Sequence, residues 1–185
     1  MKISPDGIYN REFWGRIHIP AFSIGSSGIG NNADRASGTN TLLFDGTAAE
    51  TCRGQFKLPL DWKPGTPIVP QITWARTTAS SAPVYWYIVF DVVDIGTGTS
   101  FSFPDSYDFS IDSDVASDDA VDEEHLVYTA GEVSTSGHDT LTTWHWIIVR
   151  DPTDAADTYT SDARLICFDI YYKLDSPGGR KQYEK

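Results

Sequence analysis

The sequence predicts an all-β fold: an antiparallel two-sheet sandwich, with a jelly roll of about eight strands as the leading topology. Apolar and polar residues alternate with a period of two in many segments, and no segment keeps a helical spacing of apolar residues for three turns. Turn-rich loops separate these segments, and aromatic residues, which favour half-buried pleated surfaces, make up 13% of the chain. An immunoglobulin-like sandwich is the alternative topology.

Alternation predicts strands with one apolar face at residues 13–19, 52–58 and 68–74. A shorter strand is predicted at residues 42–44. Pro70 lacks a backbone donor, so the segment 68–74 is predicted to be an edge strand or to contain a bulge.

Two segments, at residues 84–92 and 144–149, are apolar on both faces. A strand of this kind lies centrally in a sandwich or presents one face to another subunit. Because a two-layer sandwich usually leaves one side of each strand wet, this pattern predicts a hidden subunit interface. Further strands are predicted at residues 107–111, 125–129 and 163–174.

The chain is predicted to form one β-sandwich domain at residues 13–175, since 185 residues fall within the range of a single domain. Residues 1–12 are predicted to be an N-terminal arm, and residues 176–185 a polar, net basic tail. Both segments are candidates for reaching neighbouring subunits.

The net charge of −12 argues against binding of nucleic acid or anionic membranes, because such a surface repels phosphate groups. The N-terminus lacks an apolar core of signal-peptide length, and no run approaches the roughly 18 apolar residues of a membrane helix. The chain is therefore expected to be made in, and released into, a cytoplasm. Cys52 and Cys167 lie in strand-like apolar patterns and are predicted to be buried free thiols.

The sequence predicts no catalytic residue and no cofactor. Its histidines show neither HxH nor HExxH spacing, and His18 and His145 have neighbours that favour a packed core or interface position. No GxSxG elbow is present, which disfavours serine-nucleophile chemistry. A hydrolase with paired carboxylates is the third hypothesis, behind two non-enzymatic ones.

Calcium is the only metal for which the sequence offers candidates. Acidic side chains cluster in the loop before the last predicted strand and again at residues 112–124, and calcium takes several oxygens from such loops. Neither loop matches the spacing of an EF-hand, and a solvated acidic loop is the commoner outcome, so no metal site is predicted. The weak candidates are Asp151, Asp154, Asp157 and Asp162.

Aromatic side chains in this chain could stack on sugars or pack between subunits. Trp62 and Trp74 border loops, which makes them candidates for an exposed platform that stacks on sugar rings. Other tryptophans lie within strands, where core or subunit packing is favoured. The predicted interface residues are Phe13, Trp14, Trp86, Trp144, Trp146, Tyr171, Arg180 and Lys181.

Three segments carry a resemblance to a known family: LPLDWKPGTPIVPQITWA at 58–75, VYWYIVF at 84–90, and DPTDAADTYTSDARLICFDIYYKLDSPGGR at 151–180. Their distinctive parts are a Leu-Pro-x-Asp-Trp start, an alternating strand ending in Trp, and an Asp-Thr-Tyr-x-x-Asp loop before the last strand. In this order they resemble jelly-roll structural proteins of tailed bacteriophages and prophages. They cover about a third of the chain.

The resemblance implies a non-enzymatic virion protein, assembled in a host bacterial cytoplasm. The leading hypothesis is a capsid cement or decoration subunit. It forms a homotrimer and clamps the major capsid protein or another virion protein through many weak contacts. The alternative hypothesis is a receptor- or glycan-binding module of a phage tail or fibre, with Trp62 and Trp74 exposed together at one end.

Overall fold

The computed structural model describes residues 12–25, 32–93, 107–111, 125–129 and 131–175. Most of the predicted arm and all of the predicted tail therefore lie outside the described residues, as does the acidic run at 112–124. One turn of 3-10 helix lies at Ala21–Ser23. The described strands are β1 (Trp14–Pro20), β2 (Asp34–Arg35), β3 (Leu42–Phe44), β4 (Glu50–Lys57), β5 (Ile68–Arg76), β6 (Trp86–Val93), β7 (Tyr107–Ile111), β8 (His125–Thr129), β9 (Thr143–Arg150) and β10 (Ala163–Lys173).

The strands form two antiparallel sheets. One has the order β2-β3-β10-β5-β8, with β1 also paired to β10, and the other has the order β4-β9-β6-β7. From β3 onward, successive strands alternate between the sheets, except for the neighbours β6 and β7. This is the strand order of an eight-stranded jelly roll, so the leading topology predicted from the sequence is confirmed. The immunoglobulin-like alternative pairs its strands differently. Within the described residues, no helix is long and apolar enough to span a membrane.

The core between the sheets is built from large aromatic side chains. Trp86, Trp144 and Trp146 are 0%, 0% and 1% exposed and point inward from the four-stranded sheet, so their prediction as subunit-interface residues is wrong. Two packed sheets lie about 10 Å apart, and these large rings fill the space between them. Ring centroids lie 4.9 Å apart both between Trp86 and Phe44 and between Trp146 and Phe168, pairs that join the two sheets.

Pro70 lies in β5, which is a central strand between β10 and β8, so the predicted edge strand is wrong. The alternative prediction of a bulge fits the one-residue shift in register between the pairs Ile68–Val133 and Gln71–Thr129. Ile68 exchanges backbone hydrogen bonds of 3.0 and 2.8 Å with Val133. Pairing with β8 begins only at Gln71. Alternate residues of a strand direct their N–H groups to the same side, so position 70, like Ile68, faces the side of β8. There it lies between the pair Ile68–Val133 and the start of β8 pairing at Gln71, so the N–H that proline lacks would have had no partner in the ladder.

A buried arginine closes one end of the sandwich. Arg150, the last residue of β9, is 0% exposed. Its Nε and Nη2 donate to the Asp157 carboxylate at 3.0 and 3.3 Å. Its Nη1 donates to the carbonyl oxygens of Phe44 and Ser161 at 3.0 and 2.8 Å, and its Nη2 also donates to the Tyr159 carbonyl. All five guanidinium N–H groups therefore have acceptors.

Asp157 and Tyr159 extend this network to both sheets. The Asp157 carboxylate also accepts from the backbone N–H of Tyr85, just before β6, and from that of Tyr159, both at 3.1 Å. The Tyr159 hydroxyl accepts from the backbone N–H groups of Thr77 and Thr78, both at 2.9 Å. Burial raises the pKa of the Tyr159 phenol, but hydrogen bonds to the side chains and the backbone of Thr77 and Thr78 together lower it by more, and the net direction is downward. The loop before β10 is thus tied by hydrogen bonds to the chain just before β6 and just after β5.

Substitution of either partner of the buried ion pair should strongly destabilise the protein. Asp157→Asn leaves the buried guanidinium without its opposite charge, and Arg150→Met leaves the buried carboxylate without its own, which costs about 3–5 kcal/mol in free energy of unfolding. The measurement is urea-induced unfolding followed by tryptophan fluorescence. Glu12→Gln is the matched control, because Glu12 pairs with Lys173 at 2.9 Å on the surface and should cost at most about 1 kcal/mol. Equal losses for the buried and the surface pair would contradict the assigned role.

Candidate functional site

The outer surface of the four-stranded sheet carries an unusual mixture of side chains. Inward residues of β4, β9 and β6 fill the core, so the alternate residues face outward. We define the four-stranded face by these outward residues. They are Arg53, Gln55, Lys57, Tyr87, Val89, Asp91, Thr143, His145 and Ile147.

A depression of about 300 Å³ lies in the middle of the four-stranded face. Strand register explains its composition, since Gln55 lies opposite His145, and His145 lies opposite Asp91. One row across three strands therefore offers an amide, an imidazole and a carboxylate. The depression is lined by Arg53, Gly54, Gln55, Asp91, His145, Trp146 and Ile147.

Apolar and aromatic surface continues from the depression along β6. Val89 lies opposite Ile147, and Tyr87 is the next outward residue of β6. The rings of Tyr85 and Tyr87 lie 6.1 Å apart at 47°, and both side chains are half-buried. The four-stranded face thus combines planar hydrogen-bonding groups with an adjacent apolar and aromatic surface. These apolar residues are half-buried within one chain. The structure contains no second chain, so the predicted subunit interface on the strands at 84–92 and 144–149 stays a prediction.

The predicted sugar platform is wrong, because the structure buries both of its members. Trp62 is 1% exposed and Trp74 is 0% exposed. Trp62 is the last residue of the Leu-Pro-x-Asp-Trp segment, and its Nε1 donates to the Thr66 carbonyl at 3.3 Å. Trp74 points inward from β5, with its ring centroid 6.0 Å from that of Trp86. Proximity to a loop in sequence does not distinguish a tryptophan that covers the end of a core from one on a surface.

The remaining predicted interface residues have mixed positions. Phe13 and Trp14 are 39% and 43% exposed at the start of β1. Tyr171 is half-buried, and its hydroxyl donates to Gln71 Oε1 at 3.2 Å. Arg180 and Lys181 lie outside the described residues.

The loop at residues 151–162 contradicts the weak calcium hypothesis. The Asp157 carboxylate is occupied by Arg150 and two backbone donors. Asp151 accepts from the Thr153 N–H and hydroxyl at 3.0 and 2.6 Å, and Asp154 accepts from the Ala156 N–H at 2.8 Å. Asp151 and Asp154 thus cap turns of their own loop. Among the described residues, no three of the candidates Asp151, Asp154, Asp157 and Asp162 bring their carboxylate oxygens within 4.8 Å of one another, so they do not converge on a shared cation.

Both cysteines are buried and free, which confirms the prediction from the sequence. Burial raises the pKa of the Cys52 thiol and that of the Cys167 thiol. Thiols with raised pKa values are poor nucleophiles at neutral pH. Cys52 belongs to the core, whereas Cys167 lies on the outer side of β10, beside Asp169.

No protein-family model matches the chain, and no curated protein matches it. Two solved structures are similar to it over most of its length. CBM35 from Cellvibrio japonicus Abf62 has 9% sequence identity and a TM-score of 0.46, covering 88% of this chain and 100% of its own. TmCBM61 in complex with β-1,4-galactotriose has 10% identity and a TM-score of 0.32, covering 95% of this chain and 91% of its own. At this level of similarity, the fold assignment rests on the strand order itself.

Gly54 should be intolerant of any side chain. A Cβ at this position would lie 2.4 Å from Cζ2 of Trp146, whose ring is packed in the core and cannot move aside. We expect Gly54→Ala to cost about 1–3 kcal/mol in free energy of unfolding, measured by chemical denaturation. Gly131→Ala is the matched control, since a Cβ there meets nothing within 4 Å. A loss for Gly54→Ala no larger than for the control would contradict this close contact.

Proposed function

We propose that this chain is a non-enzymatic binding module that takes carbohydrate on the four-stranded face. The observation that carries the proposal is the depression of about 300 Å³, which Arg53, Gln55, Asp91 and His145 line together with the apolar side chain of Ile147. This volume lies at the lower end of the range of ligand sites, which suits one or two sugar rings rather than a large ligand.

The side chains of the depression match the chemistry of a sugar. Each sugar hydroxyl donates and accepts hydrogen bonds, so it is best bound by a mixture of donors and acceptors on rigid planar groups. Arg53 offers only donors, Asp91 offers acceptors, and Gln55 and His145 offer both kinds. The C–H face of a sugar ring needs apolar contact, which Ile147 and the neighbouring Val89 can supply. Because these groups project from hydrogen-bonded strands, their backbone positions are fixed before a ligand binds.

The same depression argues for binding without hydrolysis. Glycoside hydrolysis uses two carboxyl groups on opposite sides of the scissile bond, roughly 5–10 Å apart. Asp91 is the one carboxylate among the residues that line the depression. A general acid and its partner cannot both be drawn from this set, which supports a recognition role.

Binding should be lost when polar groups of the depression are removed. We expect the protein to bind a defined subset of a glycan array, and the best ligand then to be titrated by calorimetry. Arg53→Ala and Asp91→Ala should each weaken binding by about tenfold or more, because each removes a charged hydrogen-bonding partner. Lys57→Ala is the matched control, since Lys57 lies on the same strand and face but outside the depression.

The control separates specific from general effects. Lys57→Ala should bind the selected glycan with unchanged affinity, and all three variants should unfold at the same urea concentration as the parent. Absence of any glycan signal above that of an unrelated acidic protein would overturn the proposal. Equal weakening by Lys57→Ala would show general electrostatic attraction instead of a site.

A second candidate function is the structural subunit of a tailed-phage particle, and a different observation favours it. Within the described residues, β1 pairs with β10 alone, so its other edge is unpaired. Phe13 and Trp14 are adjacent, both exposed, and located where the chain leaves the N-terminal segment. An unpaired edge beside exposed aromatic side chains is suited to pairing with another chain, as in assembly of homotrimers or attachment to a capsid protein.

Assembly through β1 should depend on these aromatic side chains. The full chain should sediment as a concentration-dependent oligomer, and Phe13→Ser combined with Trp14→Ser should shift it to monomer by removing apolar contact area. Phe22→Ser is the control, because Phe22 is 61% exposed in the 3-10 turn and outside the proposed contact. A parent chain that stays monomeric at high concentration, or a double variant that still oligomerises, would contradict the proposed contact.

A further inference from the structure

A buried carboxylate lies at the centre of the outer surface of the six-stranded sheet. Asp169 of β10 is 3% exposed, although its neighbours Phe168 and Ile170 are the residues that point into the core. Strand register places Asp169 between His18 of β1 and Gln71 of β5. A carboxylate held out of water by its neighbours is costly unless charged or hydrogen-bonding groups surround it.

Two potential metal ligands flank this carboxylate. His18 Nδ1 lies 2.7 Å from Asp169 Oδ1, and Cys167 Sγ lies 3.6 Å from Asp169 Oδ2. One potential ligand atom from each of the three side chains falls within 4.8 Å of the other two. Cys167 and Asp169 are two residues apart on one strand and therefore share a face, and His18 completes the group from the paired strand. Two adjacent strands thus present an imidazole, a thiol and a carboxylate to one point.

We propose that His18, Cys167 and Asp169 form a binding site for a zinc-type transition-metal ion. Zinc is bound at about 2.0–2.3 Å by imidazole nitrogen, thiolate sulfur and carboxylate oxygen, and three protein ligands leave a fourth position for water or another ligand. Two ligands on a tetrahedral ion lie roughly 3.3–3.8 Å apart, by geometry from these bond lengths. The separation of 3.6 Å between the Cys167 and Asp169 atoms already fits.

Binding of an ion would require the distance between His18 and Asp169 to increase, and the exposed His18 side chain can make this movement. His18 and Asp169 are closer than two ligands of one ion would be, but the His18 side chain is 46% exposed and can move outward. Arg16, whose Nε lies 3.8 Å from Asp169 Oδ1 and whose side chain also hydrogen-bonds to Tyr171, is 53% exposed and would turn to solvent when the ion binds. Burial raises the pKa of the Cys167 thiol, so the ion must displace its proton on binding, as zinc does with other cysteine ligands.

Ligand chemistry selects the class of metal. A thiolate with an imidazole favours zinc, cobalt(II) or copper over calcium and magnesium, which require oxygen ligands. A thiolate and a carboxylate together neutralise a divalent cation, so the bound ion would add no uncompensated charge. This site is on the opposite sheet from the depression described above, and it does not depend on carbohydrate binding.

Cobalt(II) titration of the purified full chain tests the site directly. We expect tetrahedral d–d absorption in the visible range and a thiolate-to-cobalt charge-transfer band in the near ultraviolet, both removed by added zinc. Cys167→Ser should abolish the charge-transfer band, while Cys52 remains as an internal thiol control. His18→Gln should weaken cobalt affinity by at least about tenfold without unfolding the protein, since His18 lies on the surface. His138→Gln is the matched histidine control and should leave the cobalt spectrum and the cobalt affinity unchanged.

A stability measurement provides a second readout. Zinc should raise the thermal unfolding midpoint of the parent chain and of His138→Gln, because an ion that binds the folded state stabilises it, and it should not raise that of Cys167→Ser. A cobalt spectrum lacking the charge-transfer band, or the same cobalt affinity in the parent, His18→Gln and Cys167→Ser, would overturn the proposal. The outcome of these metal-binding experiments does not affect the expected glycan binding of the parent chain or its weakening in Arg53→Ala.

Discussion

The architecture depends on the buried pair between Arg150 and Asp157. Arg150 is a charged residue at the end of β9, where it is buried out of reach of water. Each of its guanidinium N–H groups donates to an acceptor of the same chain. Those acceptors come from β3 and from the loop before β10, and Asp157 in turn binds the backbone before β6. One residue pair therefore fixes the distance between the sheets at this end of the sandwich.

Much of the fold could be predicted from local sequence patterns. Alternation located the strands within a few residues, because a period of two directly reflects which side of a strand is buried. The end of the sandwich could be predicted only in part. Alternation with Trp144, Trp146 and Ile148 places Arg150 on the inward face, but it does not show that the Asp157 carboxylate and backbone carbonyl oxygens surround its guanidinium. Pro70 misled the prediction for the same reason, since its neighbours across the sheet decide whether its missing donor matters.

The candidate sites were harder to predict than the fold. His145 and His18 were expected either in the packed core or at an interface. The structure places both on outer faces, so the core alternative is wrong, and strand register brings them beside Asp91 and Asp169 respectively. No short motif contains these pairs, because their members come from different strands. Trp62 shows the converse error, in which a residue beside a loop closes the core. Sequence periodicity distinguishes the two faces of a strand, whereas site chemistry depends on which strands become neighbours.

The four-stranded face also bears on how such a scaffold can diversify. Arg53, Gln55 and Asp91 project from backbone positions whose ladder hydrogen bonds are made whatever side chain they carry. The loop at residues 151–162, in contrast, is tied to the interior through Asp157 and Tyr159. Outward residues of the four-stranded face can therefore be substituted with little loss of folding stability. The loop that joins β9 to β10 is, in contrast, constrained in both length and composition.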